Sequence, residues 1–263
     1  MIADAAYLNK IWSTRFFWLH LAWADIRAKY RRSVLGIAWA LIQPFSLTLL
    51  FTFIMGNFFH VPMGSYAIFI FSGLIFWEFI VGTIMAGCHA FINAEGYIRQ
   101  CTHPLLIYSL RSVIASTINL MVAFCGLMLW VLLWRPELIT VYWFSLLLSF
   151  SILFLFAWPL TTIAAFLGTR FRDFSQLIQI ILQVVYYISA ILFLPDMYKQ
   201  AKIDYLIQYN PIYHLLNLFR KPVLDSVLPS ADDYLYVFAA CIALWSCTWL
   251  LVKYNEKKVI YYL

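Results

Sequence analysis

The sequence has few charged residues and no recognisable motif for catalysis. Only 11% of its 263 residues are charged, against roughly 25% in soluble domains. No glycine is followed by lysine, so the phosphate-binding loop G-x-x-x-x-G-K-[ST] is absent and ATP is not bound in that way. The histidines have no partners at metal-ligand spacing. We therefore expect no catalytic residue, no metal site and no cofactor on this chain.

The cysteine pattern of a disulfide framework is also missing. Five cysteines, an odd number, are scattered along the chain without a C-x-x-C pair. The N-terminus carries Asp4 and has no short apolar core followed by a small-residue cleavage site. We expect neither structural disulfides nor a removable signal peptide.

Apolar residues dominate the sequence. They make up 64% of it, with a mean hydropathy of +0.83, which is more than one soluble core of this size could bury. The runs are long and show no alternation, so they predict membrane-spanning α-helices and not a barrel. The basic residues behind the net charge of +6 lie between these runs, so we expect no nucleic-acid partner.

Six apolar runs are long enough to cross a hydrocarbon core of about 30 Å. They cover residues 34–57, 66–88, 105–134, 141–168, 174–194 and 234–252. Of the 18 lysines and arginines, thirteen lie on one side of these spans and five on the other. Because positive residues favour the cytoplasm, both chain ends are predicted to be cytoplasmic in a multi-pass protein.

Residues 1–33 precede the spans and are predicted to form an amphipathic helix in the membrane interface. One arc of this helix carries Leu8, Trp12, Phe16, Leu19, Trp23, Ile26 and Tyr30, although Phe17 and Trp18 interrupt the polar side. A basic run follows, made of Arg27, Lys29, Arg31 and Arg32. It serves either as a plain anchor on the anionic inner leaflet or as a contact for a phosphorylated lipid substrate.

The connection between the last two spans, residues 195–233, is predicted to contain a short helix. Asn210 is placed as its N-cap and Pro211 as its first residue. Apolar residues then follow at helical spacing, namely Ile212, Leu215, Leu216 and Phe219. The stretch is too short to span, so we expect a half-inserted or surface-lying helix on the outer face.

Two spans carry polar and aromatic stripes at helical spacing. The stripe of the first span comprises Gly36, Trp39, Gln43, Ser46, Leu50, Phe53 and Asn57. The stripe of the fifth comprises Gln176, Gln179, Gln183, Tyr186, Tyr187 and Ala190. Such stripes either hydrogen-bond neighbouring helices or line a hydrated pathway.

Amides and aromatic rings without charges suit a neutral, hydroxyl-rich solute such as a sugar chain, whereas an ion pathway would need acids or bases. Glu78 is the one acid placed inside a predicted span. It serves as a proton relay, as a structural hydrogen-bonding group or as a residue near the interface.

Residues 26–57 resemble the opening of ABC-2 type transporter permeases that export lipid-linked polysaccharides. The pattern Y-R-R-S-V-L-G-x-x-W-A-L-x-x-P is carried by residues 30–44. Further matches are the S-G-L-x-x-W of residues 72–77, the N-A-x-x-x-I-R of residues 93–99 with the later Pro104, Arg172 with Asp173, and Asn210 with Pro211. The resemblance covers nearly the whole chain and is nearest to the O-antigen branch.

The resemblance implies a permease domain over residues 34–263 that forms a homodimer in the bacterial inner membrane. The permease joins two copies of a separate ATPase subunit, which binds ATP and Mg. It is surrounded by membrane lipids, and its cargo is a lipid-linked polysaccharide. The implied substrate channel contains Trp39, Gln43, Phe53, Gln179, Gln183, Tyr186 and Tyr187. The implied ATPase-coupling helix contains Asn93, Glu95, Tyr97, Ile98 and Arg99. Short periplasmic gate helices contain Asn210, Pro211, Tyr213 and Phe219.

Other functions stay open at this point. Capsule and teichoic acid exporters share the same machinery, and ABC-2 permeases for drugs or lipids are similar. A different class would be an ATP-independent flippase or a membrane glycosyl-transfer enzyme. Glu78 and His103 depart from the usual residues of the polysaccharide-exporting family at their positions.

Overall fold

Helices account for nearly all of residues 2–263, the part of the chain that the computed structural model describes; side chains are described for residues 7–58, 60–256 and 258–263. No strand occurs within this part. The α-helices are α1 (Ile2–Ser13), α2 (Arg15–Tyr30), α3 (Trp39–Phe59), α4 (Met63–Cys88), α5 (Glu95–Gln100), α6 (Leu106–Trp134), α7 (Ser145–Arg170), α8 (Phe174–Ile188), α9 (Pro195–Gln200), α10 (Tyr205–Gln208), α11 (Pro211–Arg220) and α12 (Ala231–Asn255).

Five of these helices have the length and composition of a membrane span, namely α3, α4, α6, α7 and α12. The predicted fifth span, residues 174–194, is helical only as far as Ile188. At a rise of 1.5 Å per residue, the 15 residues of α8 extend about 22 Å, less than the roughly 30 Å hydrocarbon core. The predicted all-helical fold is therefore confirmed and is consistent with an integral membrane protein, whereas the count of six spans is not confirmed.

The helix α4 lies at the centre of the bundle and packs against α3, α6, α7 and α8. Its crossing with α7 is close because both helices carry glycine there. A Cβ added to Gly168 would lie 2.3 Å from the carbonyl oxygen of Cys88, and one added to Gly87 would lie 2.7 Å from that of Thr161. Glycine is therefore required at this crossing for the two backbones to approach.

A proline inside α7 is accommodated by a side chain of α12. Pro159 has no N–H, so the carbonyl of Leu155 loses its partner within the helix. The indole Nε1 of Trp245 donates a 2.9 Å hydrogen bond to that carbonyl, and the Thr248 hydroxyl donates one of 3.3 Å to the carbonyl of Pro159. The contact between α7 and α12 is thus polar as well as apolar.

Segments from both ends of the chain meet at one end of the bundle. The Tyr7 hydroxyl donates a 2.9 Å hydrogen bond to Glu256, whose carboxylate also accepts from the backbone N–H of Leu105 at 3.3 Å. Burial, with the nearby Glu256 charge, raises the pKa of Tyr7. We call this the α2 end of the bundle. That it faces the cytoplasm stays a prediction from the lysine and arginine distribution.

The predicted interface helix consists of two helices, α1 and α2, that meet at Thr14. The apolar arc is exposed at Leu8, Trp12, Phe16, Leu19 and Trp23. The opposite side is apolar too, because Ile11 and Leu21 are buried and the Phe17 ring packs on Tyr97 and His103. Ile26, placed by the sequence on the exposed arc, is also buried. The segment therefore exposes one apolar face and packs another against the bundle, which explains its irregular pattern; that the exposed face lies in the membrane interface stays a prediction.

Candidate transport site

The stripe of α3 lies on the surface of the chain. Trp39 is 49% exposed and Phe53 is 66% exposed, and Gln43 is exposed between them. The other side of α3 holds the helix to the bundle, since Phe45 packs on Trp130 with ring centroids 5.1 Å apart. All three predicted channel residues of this helix are therefore available to a solute or to a second chain.

The stripe of α8 is exposed as well. Gln179 and Gln183 are exposed and Tyr187 is 48% exposed, while Tyr186 packs against Trp77 at 5.5 Å between ring centroids. The apolar side of α8 is equally uncovered, at Leu177, Ile180, Ile181 and Val184. Lipid can cover the apolar side, but amides in a bilayer need polar partners or water.

The two stripes belong to helices that flank the same part of the fold. Both α3 and α8 pack against α4. One apolar cluster joins Leu47 and Phe51 of α3, Leu74 of α4, and Tyr186 of α8. The fold thus places the two predicted halves of a channel wall on two helices that both pack against α4.

A cavity of about 510 Å³ lies at the α2 end, between α2, the start of α3, α4 and α6. Trp39 and Gln43 of the α3 stripe line it, so the cavity is continuous with that stripe. Tyr30 ties α2 to α6, because its hydroxyl donates a 2.8 Å hydrogen bond to Asn119. The helix α2 therefore covers the cavity.

Four charged side chains line this cavity, namely Asp25, Lys29, Glu78 and Arg111. Asp25 and Arg111 form an ion pair of 3.4 Å. Burial raises the pKa of Asp25, and the Arg111 guanidinium partly offsets that rise. Among the residues that the structure describes, Oε1 of Glu78 is buried here without a hydrogen-bond partner, and Nε of Arg111, the atom that pairs with Asp25, makes no hydrogen bond.

The predicted coupling residues lie on α5 and the turn before it, also at the α2 end. Asn93, Tyr97 and Arg99 are exposed, and Glu95 forms an exposed ion pair of 2.8 Å with Arg99. Ile98 is buried in the apolar cluster of this end. It therefore anchors α5 to the bundle and does not offer its side chain to a partner protein.

The predicted outer helix is present as α11, and its N-cap is confirmed. The Asn210 side chain accepts a 2.9 Å hydrogen bond from the backbone N–H of Ile212, and Pro211 is the first helical residue. The helix is buried, not surface-lying: Phe219 packs on the rings of Phe76 and Phe150. Of the predicted gate residues, Asn210, Pro211 and Tyr213 are half-buried and only Phe219 belongs to the core.

No family model matches the chain, but several curated relatives do. It is 24% identical to the O-antigen export system permease protein RfbA of Klebsiella pneumoniae, over 78% of each protein. It is 21% identical to RfbA of Myxococcus xanthus, over 95% of this chain and 96% of the relative. It is 25% identical to the polysialic acid transport protein KpsM of Escherichia coli, over 81% of this chain and 83% of the relative.

The resemblance to the ABC-2 type export permeases is confirmed.

Nothing in the sequence indicates that Arg220 has a structural role. Its buried guanidinium donates hydrogen bonds to the carbonyls of Ala190, Ile191 and Phe69. Ala190 has a positive φ of 51° and breaks the helical path after α8. Arg220 therefore satisfies the backbone of a non-helical segment inside the bundle, as a membrane environment requires.

A second missed feature joins α11 to α12. Asp233 accepts hydrogen bonds from His214 at 2.8 Å and from Asn217 at 3.2 Å, and it also pairs with Lys221. Ser230 and Asp233 form a reciprocal capping box at the start of α12. The S-x-x-D spacing before an apolar run was the available sequence signal.

Among the residues that the structure describes, no three His, Cys, Asp or Glu side chains converge as metal ligands. That the chain has no catalytic residue and no cofactor stays a prediction.

Proposed function

We propose that this chain is the membrane permease of an ATP-driven exporter that moves a polysaccharide linked to polyprenyl pyrophosphate to the periplasm, with O-antigen as the nearest cargo class. Relatives named for O-antigen export and polysialic acid transport support this general role. A separate ATPase subunit, in two copies, binds ATP and Mg and acts through α5.

The observation that carries this proposal is the pair of exposed polar and aromatic stripes on α3 and α8. Their glutamines have no charge to trap a cargo, and their rings offer flat surfaces to the C–H faces of sugars. A single chain leaves both stripes uncovered, at Trp39, Gln43, Gln179 and Gln183. A second copy of the chain would close them into a channel, which favours a homodimer.

Tyrosines in the stripe favour a channel wall over a seam between tightly packed helices. Close helix packing in membranes favours Gly, Ala and Ser at the contact. Tyr187 is large and exposed, and Tyr186 meets it edge-on at 5.2 Å between ring centroids. These rings hold a neighbouring backbone away from α8 and leave room for solute.

The test is deletion of the gene in a polysaccharide-producing host, followed by complementation. The proposal expects surface polysaccharide to disappear on deletion and to return with the wild-type chain. The double variant Gln179→Leu with Gln183→Leu should restore the detergent-extracted dimer but little polysaccharide. Gln200→Leu, an exposed glutamine on α9 outside the stripes, is the matched control and should restore both. Unchanged surface polysaccharide after deletion would contradict the proposal.

A further inference from the structure

We propose that the cavity beneath α2 binds one uncharged, hydroxyl-rich sugar residue of the cargo, held between Glu78 of α4, Arg111 of α6 and the Trp39 ring of α3. This inference rests on the proposed function and adds a site to it. It locates the first sugar contact at the α2 end, where the α3 stripe begins.

The size of the cavity suits a small ligand. Its volume of about 510 Å³ lies within the roughly 300–1,000 Å³ of small-molecule sites. The lining combines one exposed ring with several polar groups, as such sites do. Besides the charged residues, the polar lining includes Gln43, Asn93, Ser112, Ser116 and Asn119.

The charges of the cavity favour a neutral ligand over a phosphate. Asp25 and Glu78 are carboxyl groups, and Lys29 and Arg111 are cations, so the lining has no excess of positive charge. Arg111 is already paired with Asp25. A diphosphate would lie against two carboxyl groups with one unpaired cation, Lys29, to balance it, which is an unfavourable arrangement.

A sugar supplies hydrogen bonds that two buried atoms of the cavity lack. Oε1 of Glu78 has no donor, and Nε of Arg111 has the ion pair with Asp25 at 3.4 Å but no hydrogen bond. A hydroxyl group is both donor and acceptor, so neighbouring hydroxyls of one ring can satisfy the two atoms at once. Leaving such buried groups unpaired is costly, and a ligand that pairs them gains affinity accordingly.

Trp39 links the cavity to the predicted channel. Its side chain lines the cavity and is also half exposed on the α3 stripe, one helical turn before Gln43. A sugar ring stacked on its face would therefore leave the cavity directly onto that stripe. The cover over the site is α2, held to α6 by the Tyr30 and Asp25 contacts.

The test measures protection of a thiol placed in the cavity. Ser116 lines it, and Ser116→Cys introduces a small reactive group there. The full chain in lipid nanodiscs is treated with a hydrophilic thiol reagent, and labelling at position 116 is read by mass spectrometry. Native Cys101, exposed and outside the cavity, is the internal control. Free glucose, galactose and N-acetylglucosamine are the sugar probes, with inorganic pyrophosphate as the anionic probe.

We expect at least one sugar to slow labelling at position 116 and not at Cys101, and pyrophosphate to have no effect. Adding Glu78→Gln should raise the half-protecting sugar concentration roughly tenfold or more, because the amide has no charge and an NH2 donor replaces one of the two acceptor oxygens. Glu137→Gln, at an exposed carboxylate outside the cavity, should leave protection unchanged.

Three results would each overturn the inference. They are protection by pyrophosphate alone, protection by no probe, and protection that Glu78→Gln leaves unchanged. These results are separable from a failure of the proposed function. If deletion abolishes surface polysaccharide but no sugar protects position 116, only the sugar site is lost. If sugars protect but deletion leaves the polysaccharide intact, the cavity binds sugar and the export function is wrong.

Discussion

Replacing Arg220 by methionine should destabilise the whole bundle. The substitution keeps a long apolar side chain but leaves the carbonyls of Ala190 and Ile191 without their donor, whereas the Phe69 carbonyl still accepts a hydrogen bond from Ser72. An unsatisfied buried acceptor costs about 1–3 kcal/mol. The lower value applies to each of these two carbonyls, because the cost of burying the guanidinium is removed together with it, so the sum is about 2 kcal/mol.

The assay is the apparent melting temperature of the full chain in one detergent at a fixed heating rate. Its 11 tryptophans provide the fluorescence signal. For a protein of this size, a loss of about 2 kcal/mol lowers Tm by roughly 4–8 °C. Arg172→Met, at an exposed arginine, is the matched control and should leave Tm unchanged.

A second variant tests the same contact without removing the arginine. A Cβ at Gly73 would lie 2.3 Å from Nη2 of Arg220, so Gly73→Ala must displace the guanidinium from its carbonyls. It should lower Tm in the same direction as Arg220→Met. A Tm within about 2 °C of wild type for both variants, well below the calculated shift, would refute the role assigned to Arg220.

Three further outcomes are expected. Reporter fusions at Glu137 and Asp204 should both read periplasmic, and a cytoplasmic readout at either would overturn the predicted orientation. Arg99→Glu breaks an exposed ion pair of little value for stability, so it should lower export at unchanged membrane level; unchanged export and ATPase association would remove α5 from coupling. Gly168→Ala places a Cβ 2.3 Å from a carbonyl of α4 and should lower the free energy of unfolding by about 1–3 kcal/mol. Gly64→Ala, in open space, should leave it unchanged. Equal stability of the two variants would contradict the close crossing.

The features predicted well from sequence are those that local residues determine. Five spans follow from length and apolar content alone, and the start of α11 follows from Asn210 next to Pro211. The stripes of α3 and α8 were visible because helical spacing puts Gln179 and Gln183 on one side of a helix. Each of these patterns needs only neighbouring positions.

The features that were missed depend on distant contacts. The end of α8 at Ile188 could not be read from an apolar run, because the residue that satisfies the broken backbone is Arg220, which follows much later. Ile98 looked like part of a docking surface, but packing against the other segments of the α2 end buries it. The cavity itself depends on how α2 lies over α6, which no sequence spacing specifies.

The hydrogen bond from Trp245 to Leu155 bears on the order in which the protein is made. During synthesis α7 enters the bilayer before α12 exists, with the Leu155 carbonyl bare beside Pro159. Hydrocarbon offers that carbonyl no donor, so α7 is left incomplete until α12 arrives in the one register that brings Trp245 to it. The last helix to be made therefore completes the hydrogen bonding of one made much earlier, and a chain truncated before Trp245 would keep one unsatisfied carbonyl in α7.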